Sequence, residues 1–90
     1  MRRYVSKKEF VELVSSIESG ETMTICVEED GVDKFYDFVG ENICGCEVII
    51  YQSVYGQIGL IQDGGILSEY ELIEDIYEEF YENGDVFVRM

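Results

Sequence analysis

The sequence predicts an α+β domain: a small antiparallel or mixed sheet of four to five strands with two helices packed on one face, in the order α-β-β-β-β-α-β. Three observations carry this prediction. Two stretches, 6–20 and 68–84, place apolar residues at helical spacing, and each opens with Ser-x-x-Glu. Between them apolar residues follow a period of two. An Asp30-Gly31 pair sits inside that region, the strongest short-range hairpin signal a sequence can carry.

Ser6-Lys7-Lys8-Glu9 reads as a capping box, with Ser6 as N-cap and Val5 and Phe10 as the hydrophobic staple across it. Phe10, Leu13, Val14 and Ile17 fall at i, i+3, i+4 and i+7, so one face of this helix belongs to the core. Gly20 is its expected stop.

Met23, Ile25 and Val27 then alternate with Thr24, Cys26 and Glu28. With a two-residue turn at Asp30-Gly31, the return strand from Val32 to about Val39 sets Val27 opposite Lys34, Ile25 opposite Tyr36 and Met23 opposite Phe38. A rival reading makes 33–39 a short helix through Phe35, Phe38 and Val39. Gly40 to Gly45 is expected to be a loop. Cys46–Val54 and Gln57–Gln62 are β-rich runs separated by Tyr55-Gly56, and Asp63-Gly64-Gly65 breaks the chain.

The second helix opens with Ser68-Glu69-Tyr70-Glu71, another capping box, with Leu67 and Leu72 as its staple. Leu72, Ile73, Ile76, Tyr77 and Phe80 form its core stripe, and Asn83-Gly84 ends it. Asp85 to Met90 is a last short strand with Val86 and Val88 on one side. Ninety residues make one domain, 1–90, whose chain buries about 64% of its unfolded surface.

Charge is the outlying property. Twenty Asp and Glu stand against six Lys and Arg, a net charge of −14, where a small soluble domain carries a magnitude of roughly 2–8. Arg2, Arg3, Lys7 and Lys8 cluster at the start, and no basic residue occurs between Lys34 and Arg89. Such a body repels nucleic acid and anionic membrane and is steered toward basic surfaces. No apolar run is long enough to span a membrane, and the basic N-terminus lacks the apolar stretch of a secretory signal.

Three cysteines, Cys26, Cys44 and Cys46, form an odd set, which points to a reducing compartment, the cytoplasm. The chain has no histidine, the commonest general base and metal ligand. Cys44-Gly45-Cys46, with Cys26 approaching across the sheet and Glu47 beside them, could in principle hold zinc, but the spacing lacks the paired knuckles of a structural site. Plain structural thiols fit better. Gly56, Gly59, Gly64 and Gly65 form no phosphate-binding loop. No carboxylate pair is set apart by apolar surroundings, so the expectation is a protein that is no enzyme and needs no cofactor.

The second helix carries the functional signal. Residues 68–84 hold seven carboxylates and no positive charge. Glu71, Glu74, Asp75, Glu78 and Glu82 fall on one stripe opposite the core face. The i,i+4 pairs 71/75, 74/78, 75/79 and 78/82 are all like-charged, each costing roughly 0.2–0.5 kcal/mol where a Glu–Lys pair would stabilise. Glu78, Glu79 and Glu82 also sit at the negative end of the helix dipole. Carboxylates four residues apart lie about 6 Å apart along the axis, a series of negative points comparable to the phosphates of a nucleic-acid strand. Tyr70, Tyr77 and Tyr81 add flat amphipathic area of the sort found at binding hot spots. The expected partner-binding set is Glu69, Tyr70, Glu71, Glu74, Asp75, Tyr77, Glu78, Glu79, Tyr81 and Glu82.

With Tyr70-Glu71, Glu74-Asp75-Ile76-Tyr77-Glu78-Glu79-Phe80-Tyr81, small size and strong acidity, the chain resembles the small acidic anti-CRISPR proteins of phages and prophages. The resemblance covers residues 68–84 together with overall size and charge. It implies a short α/β inhibitor, made by a phage or other mobile element in the host cytoplasm. Such an inhibitor imitates nucleic acid and occludes the basic groove of a nuclease. The alternative is a small acidic scaffold or regulatory interaction domain, homo-oligomeric through an apolar patch, whose acidity only maintains solubility.

Overall fold

A computed structural model of the chain describes residues 2–62 and 69–89. Six strands and two helices follow in the order β1 (Arg2–Tyr4), α1 (Lys7–Ser15), β2 (Thr22–Glu29), β3 (Val32–Ile43), β4 (Cys46–Ser53), β5 (Gly56–Ile61), α2 (Glu69–Asn83) and β6 (Asp85–Arg89). The strands form one antiparallel sheet in the spatial order β1-β6-β2-β3-β4-β5. The α+β class, the two helices and the antiparallel option are as expected. The strand number is six, not four to five, and the element order begins with a strand.

The extra strand is β1, whose three residues pair with β6 at the opposite end of the chain. Val5 continues this junction, its N–H donating to the Val86 carbonyl at 3.1 Å. Nothing local in Arg2-Arg3-Tyr4 marks a strand; a distant partner imposes it.

Helix α1 starts as its punctuation requires. The Ser6 hydroxyl accepts a hydrogen bond from the Glu9 N–H at 3.2 Å, while the Glu9 carboxylate pairs with the Arg3 guanidinium. The helix ends at Ser15 with Ser16 as its cap, earlier than the Gly20 stop expected. Gly20 instead has φ 91° and donates to the Gly40 carbonyl at 2.9 Å, turning the chain into β2.

The β2–β3 hairpin has the anticipated register, Val27 opposite Lys34, Ile25 opposite Tyr36 and Met23 opposite Phe38. Asp30 and Gly31 both have positive φ (49° and 79°), as a two-residue hairpin turn matching strand twist demands. Residues 33–39 are strand, so the helical alternative is excluded. The Gly40–Gly45 loop is also corrected: β3 runs on to Ile43, and only Cys44-Gly45 turns, again with both φ positive. Gly40 lies within the strand, and it is glycine because a Cβ there would lie 2.1 Å from the Glu18 carbonyl oxygen; the connection after α1 passes directly over it.

Both helices pack on one face of the sheet. Phe10 and Val14 of α1, Ile73, Tyr77 and Phe80 of α2, and Ile25, Val27, Phe38, Ile49, Ile61, Val86 and Val88 of the sheet form the core. Phe10 is its hub, with ring centroids 5.6 Å from Phe38, 5.3 Å from Tyr77 and 6.2 Å from Phe80. The apolar stripes of both helices therefore do what their spacing implied. Tyr51 lies over Gly59, where a Cβ would meet its ring at 2.4 Å. Gly84 ends α2 against β2, where a Cβ would lie 2.0 Å from the Glu28 carbonyl oxygen. The proposed caps and staple around Leu67 and Ser68, and the Asp63-Gly64-Gly65 break, lie outside the described residues.

No described helix covers the opposite face. A row of Tyr4, Phe87, Cys26 and Phe35 crosses it by direct strand pairing, with Tyr4 and Phe87 rings 4.4 Å apart. Cys26 is buried in this row as a small hydrophobe. Cys44 and Cys46 are exposed at the β3–β4 tip. Position 43, the partner of Cys46, lies eight residues along β3 from Phe35, the partner of Cys26, or about 26 Å of extended strand. The three thiols therefore do not converge.

Candidate partner-binding surface

The surface is built by the two faces of α2. Its apolar stripe fixes the helix on the sheet: Ile73 is fully buried, Phe80 stacks on Tyr36 at 4.6 Å, and Tyr77 lies against Phe10. A helix anchored at three points along its inner side holds its outer side in a fixed orientation. Glu71, Glu74, Asp75, Glu78, Glu79 and Glu82 are all exposed there. Tyr70 and Tyr81 are exposed at 57% and 66%, flanking the acidic stripe. Glu69 opens the helix.

Tyr77 is the exception among the expected contact residues. It is 8% exposed, and its hydroxyl donates to the Val5 carbonyl at 2.7 Å. Burial pushes its phenol above the usual tyrosine range, with the Tyr81 ring adding to the effect. Tyr77 is thus a core residue that pins α2 to the β1–α1 junction. It also supports Tyr81, whose ring stacks on it at 6.0 Å and 18°.

The acidic stripe is not wholly without a counter-ion. Lys7 Nζ at the start of α1 donates to Glu78 Oε1 at 2.7 Å. That hydrogen bond, and the charge behind it, raise the lysine above its ordinary value. The contact links the first turn of α1 to the last turns of α2, and Ser6, Lys7, Tyr77, Glu78, Tyr81 and Glu82 line a shallow groove between them.

A second acidic feature lies on the helix-free face. Glu28 is directly opposite Asp33 on β3 and Asp85 on β6, giving a three-carboxylate row across three strands. Asp30 caps the same end at the hairpin turn. The Asp30-Gly31 register already implied the Glu28–Asp33 pair; Asp85 joins only through the long-range β2–β6 pairing. At that end Lys34 lies 2.5 Å from Glu29.

Among the described residues no cluster of His, Cys, Asp and Glu is placed to hold a metal ion, and no helix is long and apolar enough to cross a membrane. Comparison with known proteins returned no matching family, no similar curated protein and no similar solved structure.

Proposed function

We propose that the protein is a non-enzymatic inhibitor that lays the outer face of α2 into the basic nucleic-acid-binding groove of a partner, a nuclease or similar defence protein. The observation that carries this reading is the exposed stripe of Glu71, Glu74, Asp75, Glu78 and Glu82 on a helix whose orientation the core fixes. Preorganisation matters: a rigid row of charges loses less freedom on binding than a flexible acidic tail. Tyr70 and Tyr81 at its flank supply the aromatic anchors that charge alone does not.

The test is a competition assay between nucleic acid and the protein on a basic nuclease. Binding should weaken steeply with salt, as displacement of phosphate contacts does. The variant Glu74→Gln/Asp75→Asn/Glu82→Gln removes three charges and all four like-charged i,i+4 pairs while retaining the Lys7–Glu78 contact. It should lose displacement of nucleic acid and remain folded. Unchanged displacement at the wild-type concentration would remove α2 as the binding element and turn attention to the Asp85–Glu28–Asp33 row.

A further inference from the structure

The chain keeps its charges away from one margin of the sheet. Residues 48–62 contain no charged side chain in a protein of which 29% is charged. Within that stretch lies β5, the only one of the described strands with no Asp, Glu, Lys or Arg. It is also a sheet edge. The other edge, β1, is three residues long and carries two arginines, both recognised protections against edge-to-edge pairing. β5 is six residues long and carries no such charge; the protection it has is a β-bulge. A register shift sets both Gln57 and Ile58 against Gln52, which bends its first half and leaves Gly59–Ile61 as regular strand.

Apolar side chains stand exposed around this edge. Ile58 and Leu60 are 49% and 42% exposed, and Val54 and Tyr55 at the β4–β5 turn are 82% and 97% exposed. Leu60 lies opposite Ile50 on the helix-free face. Val32, Phe35, Val54, Tyr55 and Ile58 line one depression at the end of the sheet, together with the charged Asp33 and Lys34.

We propose that a second copy of this chain pairs antiparallel along the outer edge of β5, which no described strand covers, joining two six-stranded sheets across a two-fold axis. Charge selects the occupant. Two bodies of net charge −14 repel over most of their surface, and here the pairing strand itself carries no carboxylate. Pairing sets Ile58 and Leu60 of the two copies among one another as cross-strand neighbours. The perpendicular two-fold places both helix layers on the same side of the joined sheet, so the two α2 stripes face the same way. One strand pair is smaller than the roughly 800 Å² per partner of a standard interface, so a micromolar or weaker dimer is expected. Asp75 and Glu79 line the helix-side groove beside Tyr51, Gly59 and Leu60. They leave residual repulsion at the seam, which salt relieves.

This inference is independent of the inhibitor reading, and salt separates the two. Raising ionic strength from about 0.1 M to 1 M shortens the screening length from about 10 Å to 3 Å; it should strengthen the dimer and weaken binding to a basic groove. Sedimentation equilibrium on the whole chain should show a mass rising with concentration from 10.4 kDa toward twice that value, at lower concentration in high salt. Ile58→Lys/Leu60→Lys places two cations at positions already exposed; it should hold the mass at 10.4 kDa with an unchanged circular dichroism spectrum. A 10.4 kDa species at all concentrations up to about 1 mM in high salt, or a doubled mass that the double lysine variant leaves in place, would overturn the proposal.

Discussion

Helix α2 and the β4–β5 margin adjoin one another, with Leu72 and Ile76 on one side and Tyr51, Gly59 and Ile61 on the other, yet they treat their exposed surface in opposite ways. On α2 the outward positions are carboxylates; from residue 48 to residue 62 there is no charge at all. A protein that used acidity only to stay in solution would gain most by spreading it, because repulsion between neighbours on one helix costs stability. Here the charge is concentrated on one helix and withheld from one edge. The contrast divides a surface suited to a basic partner from a surface suited to an uncharged one.

The largest effect that sharpens this contrast lies inside α2. Phe80→Ala removes a ring that meets Phe10, Phe38 and Tyr36 and should cost about 3–5 kcal/mol in urea denaturation. Leu60→Ala at the sheet margin, 42% exposed, should cost well under half of that. Comparable losses would mean that the margin is core, and the dimer edge would have to be sought elsewhere.

Next in size is the outer face of the same helix. Glu74→Gln/Asp75→Asn/Glu82→Gln abolishes four like-charged pairs, so the isolated protein should gain about 1–2 kcal/mol. A thermal melt beside the competition assay reads both quantities on one sample. Gained stability with lost binding marks a face kept acidic for a partner; gained stability with binding retained marks a solvated face.

Local signals made much of this fold legible. Ser6 and Glu9 announced the start of α1, and Asp30-Gly31 set the β2–β3 register residue by residue, because capping and tight turns are decided within a few positions. What escaped was set by distant chain. β1 is a strand only because β6 lies beside it, and Gly40 is a strand residue paired with Ile49, glycine because the Glu18 carbonyl passes over it. Glycines at 40 and 45 looked like the ends of one loop, although only the second turns the chain. The acidic stripe was readable because it repeats within one helix. Tyr77 was readable only in part: its helical position lies between the core and the outer face, and its hydroxyl found a buried partner in Val5, seventy-two residues away.

That hydrogen bond gives the third prediction. Tyr77→Phe keeps the ring against Phe10 and removes the donor, leaving the Val5 carbonyl without it, for a loss of about 1 kcal/mol at neutral pH. The phenol titrates above its ordinary 10.0 in the folded protein, so the unfolded chain loses its proton first. Wild-type stability should therefore fall as pH rises through and beyond 10, and part of that fall should vanish in Tyr77→Phe. A slope identical in the variant would place the alkaline sensitivity elsewhere.

The smallest effect concerns the single lysine that touches the acidic stripe. Lys7 is exposed, and its pKa lies above the ordinary 10.5 through its hydrogen bond and charge interaction with Glu78. The sign follows from linkage: the contribution of this contact is complete below the unfolded lysine's value and is lost as pH rises through the higher folded value. Solvent screening keeps it small. Lys7→Gln should leave the neutral melt nearly unchanged and flatten only the alkaline end of the stability profile, from the ordinary lysine value of 10.5 upward. It should also free Glu78 for a partner, so affinity for a basic groove should hold or rise, and in any case stay within about tenfold of wild type. Loss of binding in Lys7→Gln with the fold intact would show that the groove between α1 and α2 recognises its partner through a cation, and the division between an acidic helix and an uncharged edge would no longer describe how this surface works.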